Sequence, residues 1–394
     1  VAVIRKCIVA ALLVIYLETT AHAKLKAMLL YNIINQIGQG GKQVYDGSGN
    51  QDITVNEPVL FVEDEINNHT KLNLNITLDS FSGASDAIFD SGTGASGTAS
   101  AITASDDKDD DNDRAASGAP QRIWEQRQAF DMSISRKMGT WVLIPSFGAS
   151  TQEDYRSNHG GLSLQKSFAE DNFVFAAGFI HYDDYVNFFD LSAVKFSGWL
   201  PRTTDSYDIS VSQILSTKDL MLLGAGFARQ SGHLSTDRNT ETLAGSRVAE
   251  ALPGERNKKT ATFRLVHGLN DYLALHFDYR YYEDDWQLIA NTYEPSIAIG
   301  LGERQQGIIR LLYRYYAQNG VAYYGDSFTQ RQAYMTSDSD LERFDSREIG
   351  LQGSCSFDVK KIFSELNFGG GIIYYNRSNN LSAIIYQLSL GGTF

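Results

Sequence analysis

The stretch KKTATFRLVHGLNDYLALHFDYRYYEDDW, Lys258 to Trp286, reads as a β-hairpin whose two arms alternate in character. In the second arm Leu273, Leu275, Phe277, Tyr279 and Tyr281 fall on one face, and Ala274, His276, Asp278 and Arg280 on the other. The first arm sets Ala261, Phe263 and Leu265 against Thr260, Thr262 and Arg264, with Gly268 to Asp271 as the turn. Successive side chains of a strand point to opposite faces, so each arm carries one apolar and one charged side. A soluble sandwich would bury the apolar face. An outer-membrane barrel would turn it to lipid and the charged face to the lumen.

Working outward from this hairpin, the chain yields about sixteen strand-like segments, each near the ~9–11 residues that a tilted membrane strand needs. They are expected at 25–37, 52–65, 70–80, 122–136, 141–154, 158–168, 172–185, 203–216, 219–231, 258–268, 271–283, 286–299, 306–318, 342–356, 362–376 and 381–394. Short turns at 67–69, 137–140, 169–171, 217–218, 269–270, 300–304 and 358–361 interleave with longer polar loops at 38–51, 81–121, 186–202, 232–257 and 319–341. Bacterial barrels have short periplasmic turns and long outer loops on alternate ends, a parity that a soluble sandwich has no reason to keep. Leu72, Leu74, Ile76 and Leu78 alternate with Lys71, Asn73, Asn75, Thr77 and Asp79. Leu366, Phe368, Gly370, Ile372 and Tyr374 do so with Glu365, Asn367 and Gly369. Pro58, Pro145 and Pro295 fall inside expected strands, where each removes a ladder hydrogen bond and should mark a bulge or a strand end. Phe173 to Ile180 is apolar on both faces, which leaves its orientation open.

The fold expected is therefore all-β: a transmembrane, antiparallel up-and-down barrel of about sixteen strands filling residues 24–394. Its 394 residues suffice for one large barrel, and no apolar run of about 18 residues follows the N-terminal segment, so helical spans are excluded. Aromatic residues make up 12% of the chain, with 21 Tyr and 21 Phe, in keeping with interfacial girdles. Residues 1–23 read as a secretory signal peptide: Arg5 and Lys6, an apolar run from Ile8 to Tyr16, then Ala21-His22-Ala23. Cys355 would be the only cysteine left after processing, so no intramolecular disulfide is expected. The net charge of −13 argues against nucleic acid and suits a bacterial outer surface bridged by divalent cations.

The last strand sets Ile384, Tyr386, Leu388, Leu390 and Phe394 against Gln387, Ser389 and Thr393. Tyr386, Leu388, Leu390 and the terminal Phe394 resemble the C-terminal signal read by the bacterial barrel-assembly machinery. A wider resemblance rests on LLYNI from Leu29, VNEPVLFVEDE from Val55, LDSFSGAS from Leu78, YRYYEDDW from Tyr279 and LYRYYAQN from Leu312. In that order they resemble a family of bacterial outer-membrane barrels known only as a domain of unknown function. Where the family continues the SGAS block into Pro-Asn-Gly, this chain has Asp86-Ala87-Ile88, so the loop that it opens should differ. The resemblance implies an exported barrel in the bacterial outer membrane and supplies no activity and no catalytic residues.

Three constellations could carry function. Arg264, His276, Asp278, Arg280, Arg310 and Arg314 are expected on inward faces of neighbouring strands, with Glu125, Arg127 and Asp131 on an earlier strand and Glu348 and Glu365 near the end. Such walls either select solutes by field and size or close on themselves as ion pairs filling the barrel. The run Asp106, Asp107, Asp109, Asp110, Asp111 and Asp113 offers hard oxygen ligands to divalent ions, including those bridging lipopolysaccharide, but lacks EF-hand spacing and reads equally as a solvated charge run. YRYYEDDW and LYRYYAQN combine girdle aromatics with charge at an outer strand end, Glu283 to Asp285 forming a solvated turn. No Gly-x-Ser-x-Gly, His-Glu-x-x-His or phosphate-loop pattern occurs, so neither an enzyme nor a cofactor is expected. Two functions follow: a porin-like channel for small polar solutes, or a structural or assembly barrel that anchors outer loops or an exported partner without an open pore.

Overall fold

The computed structural model describes residues 24–38, 53–80, 126–152, 154–190, 195–235, 240–302, 306–359 and 364–394. The segment 1–23 expected to be a signal peptide, the segment 81–121 expected to be an outer loop with its acidic run, and Glu125 lie outside the described residues. Strands β1 (Leu25–Gly38), β2 (Ile53–Asn67), β3 (Thr70–Ser80), β4 (Gln126–Met138), β5 (Trp141–Thr151) and β6 (Tyr155–Phe168) are followed by the long β7 (Phe173–Asp190) and β8 (Lys195–Ile214). Then come β9 (Asp219–Gly232), a small hairpin of β10 (Thr240–Leu243) and β11 (Ser246–Ala249), and β12 (Glu255–Asn270) with β13 (Leu273–Asp284). The chain ends with β14 (Ile289–Leu301), β15 (Gly307–Gln318), β16 (Phe344–Asp358), β17 (Glu365–Arg377) and β18 (Leu381–Thr393).

Setting aside the β10–β11 hairpin, successive strands pair antiparallel, with β9 pairing β12, and β18 closes on β1, giving a sealed barrel of sixteen strands. At the seam the register runs from Lys26 opposite Thr393 to Gly38 opposite Leu381, and Phe394 N donates to Leu25 O at 2.8 Å. Closure leaves no strand edge unpaired, which is what a sheet needs in a medium without water.

Side chains sort by face as the alternation demands. On the outside stand Leu275, Phe277, Leu311, Ile349, Leu351, Ile372, Leu388 and Leu390, all large, apolar and exposed. Tyr293, Tyr313 and Tyr374 form part of an aromatic ring near the outer strand ends, with Tyr279 against Tyr293 at 5.1 Å between centroids. At the other end Lys166 caps Trp141 and Phe168, with Nζ 4.3 and 5.0 Å from the ring centres. An apolar belt between aromatic girdles, on a closed sheet, is the surface of an outer-membrane barrel, and that is what this chain is. The double-apolar stretch of β7 also resolves: Phe175 and Phe179 are exposed outside, whereas Gly178 faces Asp208 within.

Three expectations are corrected. Residues 186–202 are no long loop; β7 and β8 continue as an extended ribbon to Asp190 and from Lys195, with a register shift at Phe188/Phe189. Several outer connections are short too, such as 285–288 and 378–380, so alternation in loop length is looser than the sequence suggested. Pro58, Pro145 and Pro295 neither bulge nor end their strands. At each, one neighbouring ladder omits two rungs, the proline's and the one beside it, and resumes in unchanged register: Asn56–Ser80 then Val59–Thr77, Ser133–Ser146 then Arg136–Leu143, Tyr293–Tyr315 then Ser296–Leu312. A missing N–H thus removes one bond on one side without shifting the sheet.

Candidate functional site: the lumen wall and its outer cap

Lumen-facing residues of β12 to β16 form a charged ladder. Arg264 and Asp278 are directly opposite in register and ion-paired. Glu294 on β14 lies 3.7 Å from Arg310 and 3.9 Å from Arg314, and Arg314 reaches Glu348 on β16 at 3.4 Å. Arg310 Nε also donates to Ser296 Oγ at 3.0 Å. His276 and Arg280 share this face of β13 with Asp278. The expected inward cluster is therefore brought together, and it is knit by ion pairs across strands. Glu365 also faces inward but stands at the periplasmic end, opposite Thr393 and Asp358.

Arg127 and Asp131 face inward on β4, across the barrel from that ladder. Asp131 Oδ1 meets His159 Nε2 at 3.2 Å, reaching over β5 because the residue between them is Gly148. A Cβ there would lie 2.4 Å from His159 Cε1 and 2.7 Å from Asp131 Oδ1. Further out, Asp184 and Arg202 pair at 3.5 Å and are both buried. A third sector is amide-lined: Gln352 Nε2 donates to Gln387 Oε1 at 3.0 Å across Gly371, Gln387 Nε2 to Asn32 Oδ1 at 3.3 Å, and Asn32 Nδ2 to Glu57 Oε2 at 2.8 Å.

The outer mouth above β12 to β17 is roofed by residues 233–235 and 240–254, with the β10–β11 hairpin, and by the loop 319–343. They join through bridges of Leu243 with Phe328 and Ala251 with Met335. Their core of Leu234, Trp286, Leu288, Val321 and Leu341 takes in Tyr282 and Tyr316, the second tyrosines of the two Tyr-Tyr doublets. The girdle reading thus holds for the first tyrosine of each doublet, while the second turns inward and supports the cap. Trp286 is not an interfacial residue either: it is buried, its ring under Arg256, with Nε1 donating to Glu255 O at 2.8 Å. Nor is Asp284 part of a solvated turn; its side chain is wholly buried and paired with Arg256 at 2.6 Å.

The cap is latched by buried polar groups. Arg377 on β17 pairs with Asp340 at 2.5 Å, donates to Ser339 O at 2.5 Å and packs over Phe344, 3.8 Å from the ring centre. Gln318 Nε2 donates to the carbonyls of Asp340 and Glu342 at 2.8 and 2.5 Å. Glu241, fully buried, accepts from Ser337 N at 2.8 Å and from Ser337 Oγ, and Thr336 Oγ1 donates to Glu250 at 2.6 Å. Burial raises the Asp338 carboxyl well above the ordinary range, and neighbouring Asp340 and Glu250 push the same way. Burial also raises Glu241, against the lowering effect of its bonds from Ser337.

Sequence reasoning missed this cap, together with His159, Asp184, Arg202, Asp208, Glu294 and Arg377. The consecutive tyrosines Tyr281-Tyr282 and Tyr315-Tyr316 were a usable signal, because two adjacent aromatics on one strand cannot both face lipid. Glu241 meeting Ser337 across most of a hundred residues left no such trace.

The family described as "Protein of unknown function (DUF3570)" matches residues 8–394. No curated protein matches the chain. Among solved structures it is similar to a bacterial polysaccharide outer membrane secretin, at 9% identity and a TM-score of 0.49, covering 95% of this chain and 100% of that one. It is also similar to OpdK from Pseudomonas aeruginosa with vanillate, at 7% identity and 0.46, covering 95% and 98%. A BenF-like porin from Pseudomonas fluorescens follows at 10% identity and 0.41, covering 95% and 98%. Nothing about this chain's cargo follows from these likenesses.

Proposed function

The chain belongs to this DUF3570 family of unknown function, and from that starting point we propose that it is a porin-like, non-enzymatic channel passing small polar solutes across the outer membrane. The observation that carries the reading is the wall itself: a closed ring of sixteen strands whose inward face is laced with ion pairs and amides, beside an apolar patch of Ile34, Val55, Leu312 and Ile373. Barrels of sixteen to eighteen strands are wide enough for an aqueous bore. Polar lining at membrane depth is tolerable where water or paired charges meet it. The cap over β12 to β17 supports the second reading, a barrel with a structural or assembly role and no open pore. Planar-bilayer recording of the refolded protein separates the two. Discrete, reproducible conductance steps are expected; a correctly folded barrel that stays silent would favour the structural role.

A further inference from the structure

Around Asp208 the wall of β6 to β9 is built from small neutral residues. At the level of Asp208 on β8, the inward positions are Gly178 on β7 and Ser163 on β6 to one side, Gly226 on β9 and Thr260 on β12 to the other. Ser206 and Ser210 flank it along its own strand. Among the described residues the Asp208 side chain has no hydrogen-bond and no ion-pair partner, and it is not wholly buried. This sets it apart from the other carboxylates along the middle of the wall. Asp131 has His159, Asp278 has Arg264, Glu294 has Arg310 and Arg314, and Glu348 has Arg314.

The space around Asp208 is kept clear by glycine. A Cβ on Gly178 would stand 2.5 Å from Asp208 Oδ1, 3.0 Å from Oδ2 and 3.0 Å from Ser163 Oγ. An ionised carboxylate at membrane depth is costly unless it meets a partner or water. No described residue of the wall supplies such a partner here, which leaves the counter-charge to the lumen. We propose that Asp208 is the station at which this channel holds mobile cations, inorganic or amine-bearing, and that it gives the pore its cation preference. The inference rests on the channel reading.

The test is the reversal potential across a bilayer separating two KCl concentrations, near 0.1 M so that screening stays moderate. The wild-type pore is expected to prefer cations. In Asp208→Asn the cation-to-anion permeability ratio should fall about fivefold, the product of the screened Boltzmann factors by which one unit charge at roughly 5 Å favours a cation and disfavours an anion. Asp208→Glu should retain the preference. Asp208→Ser, which matches its neighbours on the strand, provides a second neutral variant should the asparagine fail to fold; heat-modifiable electrophoretic mobility reports folding. A conducting pore whose ratio is the same in both neutral variants, or a wild type that prefers anions, overturns the proposal and leaves the channel standing. A folded barrel without conductance overturns both.

Discussion

Arg377 joins barrel to cap with its side chain almost fully buried, against a carboxylate, a carbonyl and an aromatic face. Removing one partner of a buried ion pair typically costs about 3–5 kcal/mol, because the other charge stays buried without compensation. Arg377→Leu should therefore loosen residues 319–343 while the barrel remains folded. Limited proteolysis would show cleavage confined to that loop; an unchanged digestion pattern would mean that the latch contributes nothing. The buried carboxyls make the same unit sensitive to pH. Asp338 and Glu241 are raised in the folded cap, so folding there favours the protonated form. Their stabilisation is complete below the ordinary carboxylate range and is lost as pH climbs through the raised values. Amide exchange in 325–341, corrected for intrinsic rate, should speed up as pH rises above the ordinary carboxylate range. Protection that strengthens with pH would contradict this.

Among elements, the strands were the legible part of the sequence and the cap was not. Alternation is a local signal with a period of two, and it placed Leu273 to Tyr281 and Ile384 to Leu390 on the correct faces without knowledge of their neighbours. It also grouped Arg264, Asp278, Arg310, Arg314 and Glu348, though pairing through Glu294 depends on register that no single strand reveals. The proline expectation failed because a lost N–H matters only on the side to which it would have pointed. The cap went unread because its contacts, Glu241 with Ser337 and Arg377 with Asp340, join loops and strands far apart in the chain. At this scale, one neighbouring pair on β16 provides a matched test. Leu351 faces lipid, and arginine there should cost roughly 2–4 kcal/mol in folding from denaturant into vesicles. Gln352 faces the lumen, where the same replacement should cost far less. Equal penalties at the two positions would contradict the face assignment.

The whole molecule divides into an apolar exterior, a wall of paired charges, amides and hydroxyls with an apolar patch around Ile34 and Ile373, and a roof over one side of its mouth. Stability of the sheet comes from closure, since every barrel strand has two bonded neighbours. Selectivity, as proposed above, belongs to Asp208, the mid-wall carboxylate that the described residues leave to mobile ions. Both rest on which face meets lipid. Nitroxide labels placed one at a time along 273–281, in a variant with Cys355 replaced and the barrel in lipid vesicles, measure this directly. Positions 275, 277 and 279 should be reached by dissolved oxygen and shielded from a polar nickel chelate, and 276, 278 and 280 should show the reverse. Loss of that two-residue alternation, or chelate access on the Leu275 and Phe277 face, would contradict the account.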